Sequence, residues 1–116
     1  EQAMHAVDFI QKYIFPGGAL PSITTISSAV ARVTDLHISH LHDIGIDYAR
    51  TLRIWRERFM NRLPEVRSLG YPDEFIRMWE WYLLYCEAGF LERAISTVQV
   101  VFDKPDCRLA AVSGAD

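Results

Sequence analysis

The spacing of apolar positions changes at Gly45, and the change separates an extended stretch from a helix. Before it, Leu36, Ile38 and Ile44 share one parity, the period of two that predicts a strand over 36–44. After it, Tyr48, Leu52, Trp55, Phe59, Leu63 and Val66 recur at intervals of four, three, four, four and three, which puts them on one face of a helix over 47–69. Pro64 has no N–H to give and its ring crowds the preceding turn, so it is expected to kink or divide that helix. Gly70 is placed to end it. Tyr48 is the first large residue of the apolar face. It therefore stands where a strand end meets a helix start, the position at which open α/β sheets tend to build their sites.

The flanking stretches read in the same way. Ala3, Ala6, Val7, Ile10, Tyr13 and Ile14 have helical spacing and predict a helix over 1–15, with acidic Glu1 at the end the helix dipole favours. Pro16-Gly17-Gly18 must stop it in a tight loop. Pro21 and Ser22 mark a second start, with Ser22 as cap and Ile23, Ile26, Val30 and Val33 along one face. Pro72 followed by Asp73 and Glu74 suits another helix N-terminus. From 75 to 90 that helix is apolar almost all round, with Trp79, Trp81, Tyr82, Leu83, Leu84, Tyr85 and Cys86 nearly consecutive, which predicts burial on more than one side. A second strand is expected over 95–102, with Val98, Val100 and Phe102 on one parity and Thr97 and Gln99 on the other. Residues 1–105 are read as the folded part, and the small, polar residues of 106–116 as a frayed tail.

Four to five helices with two antiparallel strands make an unbalanced α/β protein. A two-stranded ribbon is marginal in water and needs partners. The expectation is that the chain is the trailing part of a larger α/β domain, or that it pairs with another copy or another chain through exposed strand edges.

Composition narrows the function classes. The 116 residues are half hydrophobic, enough for one domain's core. A formal charge of -3, from 12 basic and 15 acidic residues, gives no general attraction for nucleic acid, so no nucleic-acid partner is expected. Cys86, inside an apolar run, and Cys107 are too few and too differently placed for a disulfide framework, which favours a reducing, cytoplasmic setting. Glu1 to His5 lacks a basic leader, and no apolar run approaches the roughly 20 residues that span a bilayer. Membrane contact is therefore expected to be peripheral, at the inner membrane surface.

Two charged clusters need weighing. His37, His40 and His42 lie near Asp35 and Asp43, and imidazole suits zinc. One strand cannot turn all three histidines to the same side, so solvated strand residues are expected and no metal site. Arg50, Arg53, Arg56, Arg58, Arg62 and Arg67 fall mostly off the apolar stripe and read as a wet helix face with Glu57 and Glu65. An anionic lipid surface can use such a face, at up to about 1 kcal/mol per charge.

Five pieces in order carry a resemblance. They are Lys12-Tyr13-Ile14-Phe15-Pro16-Gly17-Gly18, Leu20-Pro21-Ser22, His42-x-Ile44-Gly45-x-x-Tyr48-x-x-Thr51-Leu52-x-x-Trp55, Trp81-Tyr82-Leu83-x-x-Cys86 before Phe90, and Val98-Gln99-Val100-Val101-Phe102. Together they resemble the C-terminal part of the cyclopropane-fatty-acyl-phospholipid synthases and the related mycolic-acid cyclopropane synthases. The resemblance implies a C-terminal fragment of a Rossmann-like class I methyltransferase fold. It also implies an S-adenosylmethionine-dependent enzyme that methylenates double bonds of unsaturated phospholipid acyl chains to cyclopropanes. In that family the alkene attacks the sulfonium methyl, a carbocation forms, and a bound bicarbonate takes a proton from the added methyl group.

Tyr48 matches the family tyrosine that helps hold the bicarbonate, and a phenol, ordinarily protonated at neutral pH, can donate a hydrogen bond to an anion. Phe15, Leu20, Leu52, Tyr82 and Cys86 match positions that line the acyl channel. Apolar walls suit such a chain, and aromatic faces near the reacting carbons can stabilise a cation by about 0.5–2 kcal/mol. Read without the resemblance, Tyr48 is a core aromatic, the others are ordinary core residues, and Cys86 is an inert buried thiol. The glycine-rich cofactor loop has no counterpart, because Gly17-Gly18 follows a helix and no G-x-G-x-x-G occurs. The chain by itself is thus expected to bind no S-adenosylmethionine and to be inactive. The alternative reading is a non-catalytic helical lipid-binding or interaction module derived from such an enzyme.

Overall fold

The computed structural model describes residues 9–108, and the chain falls into two compact units. One unit is Asp43–Thr97; the described part of the other comprises 9–42 and 98–108.

The two-segment unit begins with a π-helical turn, Ile10–Ile14, closed by the Phe15 N–H on the Ile10 carbonyl at 2.8 Å. An ordinary helix was the expectation over 1–15. Pro16 instead keeps Phe15 out of the helical region, and the wider turn gives its N–H an acceptor. Residues 1–8 lie outside the described residues. Next comes a turn with Pro16 and Gly17 at its centre, Gly17 at φ +78° and the Gly18 N–H donating to the Phe15 carbonyl at 2.9 Å. That backbone requires glycine at its third position. Gln11 Nε2 adds a bond to the Gly18 carbonyl at 2.9 Å.

Helix α1, Ile23–Val33, starts where Ser22 Oγ accepts the Thr25 N–H at 3.1 Å. Ile23, Ile26 and Val30 are half-buried, while Val33 is exposed. Strands β1, His37–Asp43, and β2, Val98–Asp103, form a two-stranded antiparallel sheet. Ile38, on the parity expected to face inward, is exposed. The second strand starts at Val98 rather than 95. The preceding residues are used to end a helix: Arg93 is left-handed at φ 55°, and the Ala94 and Ile95 N–H groups both reach the Gly89 carbonyl, at 3.0 and 3.3 Å. Of the tail expected over 106–116, residues 109–116 lie outside the described residues.

The continuous unit holds three helices: α2, Gly45–Asn61, α3, Leu63–Ser68, and α4, Asp73–Leu91. Helix α2 begins two residues earlier than its apolar spacing suggested. Asp43 Oδ1 accepts the Gly45 N–H at 2.9 Å and the Ser96 hydroxyl at 2.5 Å, which satisfies a helix-start donor that Ile44 cannot. The break at Arg62 comes before Pro64, which falls in the first turn of α3, where a missing N–H costs nothing. Gly70 follows α3 at φ +89°.

Helix α2 packs against α4. The buried residues are Gly45, Ala49 and Leu52 on α2 and Ile76, Leu83, Cys86, Glu87 and Phe90 on α4. The buried face is shifted from the expected stripe toward Gly45 and Ala49: Leu52 of that stripe is buried and Tyr48 meets Phe90, while Trp55 is 47% exposed. Small residues explain the shift. A Cβ added at Gly45 would stand 2.5 Å from Ser96 Oγ and 3.5 Å from the Phe90 ring. Helix α4 is less widely buried than expected: Trp81, Tyr85 and Leu91 remain exposed.

The arginine face also needs correction. Glu87, 6% exposed, receives Arg53 Nε at 2.7 Å on Oε1, and Arg56 Nη2 lies 3.6 Å from Oε2. Its hydrogen bond and negative charge raise the Arg53 pKa further. Arg53 and Arg56 are therefore joined to α4 and not only to water. Arg62–Glu65, Arg67–Asp73 and Arg77–Glu74 are exposed pairs that contribute little.

Two outcomes follow in chemical denaturation. Gly45→Ala is expected to destabilise the protein by about 1–3 kcal/mol, because Ser96 is held by Asp43 and cannot yield. Arg53→Ala should lower the midpoint more than Glu87→Ala does. It leaves the buried Glu87 carboxylate without its 2.7 Å partner, whereas removing Glu87 leaves an Arg53 side chain that is already half in water.

Candidate functional site

Tyr48 lies one turn into α2, with its ring edge-on to Phe90 of α4 at 5.0 Å and to Trp55 at 6.0 Å. These perpendicular arrangements set the positive edge of one ring against the negative face of another. They hold the phenol by its body and leave its orientation defined. Leu52, one turn on, is 1% exposed.

From α4, Tyr82 and Cys86 come four residues apart on one face, Tyr82 half-buried and Cys86 buried. Burial pushes the Tyr82 phenol above its ordinary pKa of 10.0, and the nearby Cys86 and Tyr48 groups, with a hydrogen bond to Cys86, push it the same way. Two phenols and a thiol therefore lie within electrostatic reach across the α2–α4 contact. Tyr82 stays a protonated donor throughout the neutral range.

Four of the six sequence-derived site residues, Tyr48, Leu52, Tyr82 and Cys86, thus belong to one compact unit and gather where α2 meets α4. Phe15 and Leu20 belong to the other unit, 56% and 85% exposed on the loop shaped by Gly17. Phe90 and Trp55 were not picked out as site residues. Phe90 continues the interval of four from Tyr82 and Cys86, a spacing that was available in the sequence. Glu87 was missed as well; it is the one acid in the apolar run Trp81–Leu91.

A cleft of about 290 Å³ opens beside the start of α2, lined by Asp43, Gly45, Asp47, Phe90, Arg93 and Ser96 among others. None of the six predicted residues lines it, and its lining mixes charged Asp43, Asp47 and Arg93 with apolar Ile46, Ile95 and Phe90. Among the described residues no cluster of three or more metal-ligating side chains occurs. The His40 and His42 rings stand 6.5 Å apart. Among the described residues no helix is long and apolar enough to cross a membrane.

Comparison with known proteins gives these residues a context. Residues 1–100 match the family model of mycolic acid cyclopropane synthetase. The chain is 50% identical over 86 residues to the tuberculostearic acid methyltransferase of Mycobacterium tuberculosis, covering 74% of this chain and 20% of that protein. It is 40% identical over 98 residues to the cyclopropane-fatty-acyl-phospholipid synthase of Escherichia coli, covering 83% and 24%. With the enzyme of that name from Citrobacter freundii it shares 41% over 63 residues, 54% of this chain and 70% of the other. The chain spans about a fifth to a quarter of the length of the first two relatives. On the family match and these identities, the chain belongs to the mycolic acid cyclopropane synthetase family.

Proposed function

We propose that this chain is the acyl-substrate-binding part of an S-adenosylmethionine-dependent methyltransferase that methylenates double bonds of unsaturated phospholipid acyl chains to cyclopropanes. The observation that carries the reading is the gathering of Tyr48, Tyr82 and Cys86 over Leu52 and Phe90, phenol hydroxyls in an apolar setting. Leu52, Cys86 and Phe90 offer a hydrocarbon surface, and each methylene removed from water there gains about 0.8 kcal/mol. Tyr48 orients a small oxyanion by donating its phenol hydrogen, with Tyr82 as a second protonated donor close by.

That donor set fits bicarbonate, which prefers hydrogen-bond donors and gains strength from them where water is scarce. When bound, bicarbonate supplies the acceptor for a proton leaving the substrate. Among the described residues no glycine-rich loop from strand to helix is present to hold S-adenosylmethionine: Gly17-Gly18 belong to a turn after a π-helical segment. Phe15 and Leu20, matched to acyl-channel positions by the family resemblance, offer apolar surface on their own unit, and peripheral contact with the bilayer delivers the acyl chain.

The test joins this chain to the cofactor-binding part of a family relative and supplies unsaturated phospholipid. Tyr48→Phe should lower turnover by about ten- to a hundredfold while lipid affinity stays nearly constant. Unchanged turnover would remove Tyr48 from the role, and retained lipid binding without methyl transfer in the unaltered protein would favour a non-catalytic lipid-binding module. A second outcome concerns pH. Because the folded-state pKa of Tyr82 is raised, its contribution to stability is complete below about pH 10 and is lost as pH climbs through the folded value. Tyr82→Phe should therefore flatten the fall in unfolding free energy above about pH 10, measured by urea titrations at a series of pH values.

A further inference from the structure

The start of α2 is tied at two points to the chain that leaves α4. Ile44 uses both of its backbone groups: its N–H donates to the Thr97 carbonyl at 3.0 Å, and its carbonyl accepts the Tyr48 N–H at 2.9 Å. Beside it, Asp43 Oδ1 accepts both the Gly45 N–H, at 2.9 Å, and the Ser96 hydroxyl, at 2.5 Å. Gly45 makes the second tie possible, since a Cβ there would stand 2.5 Å from Ser96 Oγ and 3.1 Å from Asp43 Oδ1. Glycine is a weak helix former, so local preference is given up at this point for room. Tyr48 lies in the first turn that these bonds define. Phe90, whose ring meets it edge-on at 5.0 Å, lies in the last turn of α4, so both ties join the helix ends that carry the ring contact.

We propose that Asp43 and Ser96 are positioning residues for Tyr48: together they hold the first turn of α2 against the end of α4 and so aim the phenol hydroxyl at the oxyanion. The inference rests on the reading that Tyr48 orients bicarbonate. A cap for α2 needs only the bond from the Gly45 N–H, and Ser96 adds nothing to that count of helix donors. Its hydroxyl, 53 residues further along the chain, instead makes the capping carboxylate a bridge, and a hydroxyl on a carboxylate is among the stronger hydrogen bonds. Without the bridge the first turn keeps its cap but loses its side-chain hold on the end of α4. The phenol hydroxyl stands at the far end of a long side chain, which magnifies any tilt of that turn, and a misplacement of about 1 Å can cost about a hundredfold in rate. Neither Asp43 nor Ser96 is an apolar residue matched to the acyl channel, so lipid affinity should not follow.

The experiment takes this chain joined to the cofactor-binding part of a relative and assays it in buffer freed of carbon dioxide, with bicarbonate added back over a range of concentrations. Ser96→Ala and Asp43→Ala should each raise the bicarbonate concentration for half-maximal rate about tenfold and leave the KM for unsaturated phospholipid unchanged. Asp43→Asn, which keeps an oxygen acceptor for both donors, should restore most of the loss. In the chain alone, amide hydrogen exchange should quicken at the Tyr48 N–H in Ser96→Ala and stay constant at Leu83 in the middle of α4, which also checks that the variant is folded. A general fall in rate, with the bicarbonate requirement and the exchange at Tyr48 both unmoved, would overturn the assignment. If Tyr48→Phe raises the bicarbonate requirement while Ser96→Ala and Asp43→Ala leave it unchanged, the positioning role falls and the oxyanion reading stands. If Tyr48→Phe leaves that requirement unchanged as well, both fall.

Discussion

The close approach of α2 to α4 is the constraint on which the candidate site depends. It is possible because Gly45 and Ala49 present almost no side chain, so Phe90 can reach the start of α2 and meet the Tyr48 ring. The buried apolar set is small: Ala49, Leu52, Ile76, Leu83, Cys86 and Phe90. At about 1.5–3 kcal/mol for each large side chain, losing one removes a substantial share of the 5–15 kcal/mol that separates folded from unfolded domains. Glu87 adds direction to that contact. Its carboxylate, held by arginines one turn apart on α2, fixes the rotation of α4 about its own axis, and that rotation decides where Tyr82 and Cys86 point.

Much of this was legible in the sequence because local rules carried it. The Ser22 cap, the division near Pro64, the left-handed Gly70 and the acidic first turn of α4 each depend on a few adjacent residues, and each lies where the residues suggested. The α/β class with two antiparallel strands was legible too, from a change of period at Gly45 and another after α4. The part of the buried face of α2 around Gly45 and Ala49 was not. Periodicity weights large residues, so it favoured Trp55 over Ala49, whereas a close helix contact is made by what is missing from the surface.

The pairing of arginines with Glu87 was hidden for a related reason. Charge on a helix reads as solvent-facing until the opposing helix is known, and the partner lies 34 residues away from Arg53. The late start of β2 reflects competition for the same backbone. Thr97 and its neighbours have strand character, yet the carbonyls left open at the end of α4 claim the N–H groups of Ala94 and Ile95 first. The six proposed site residues came from a resemblance, and pattern alone would have left each of them as ordinary core.

One side of α4 has a further consequence. Trp81, Leu84, Tyr85 and Leu91 lie in water along the face turned away from α2, and such a stretch of oily surface is sticky. Handled alone at high concentration, this polypeptide should cloud or self-associate, and mild detergent or glycerol should hold it in solution better than added salt, which tightens greasy contacts.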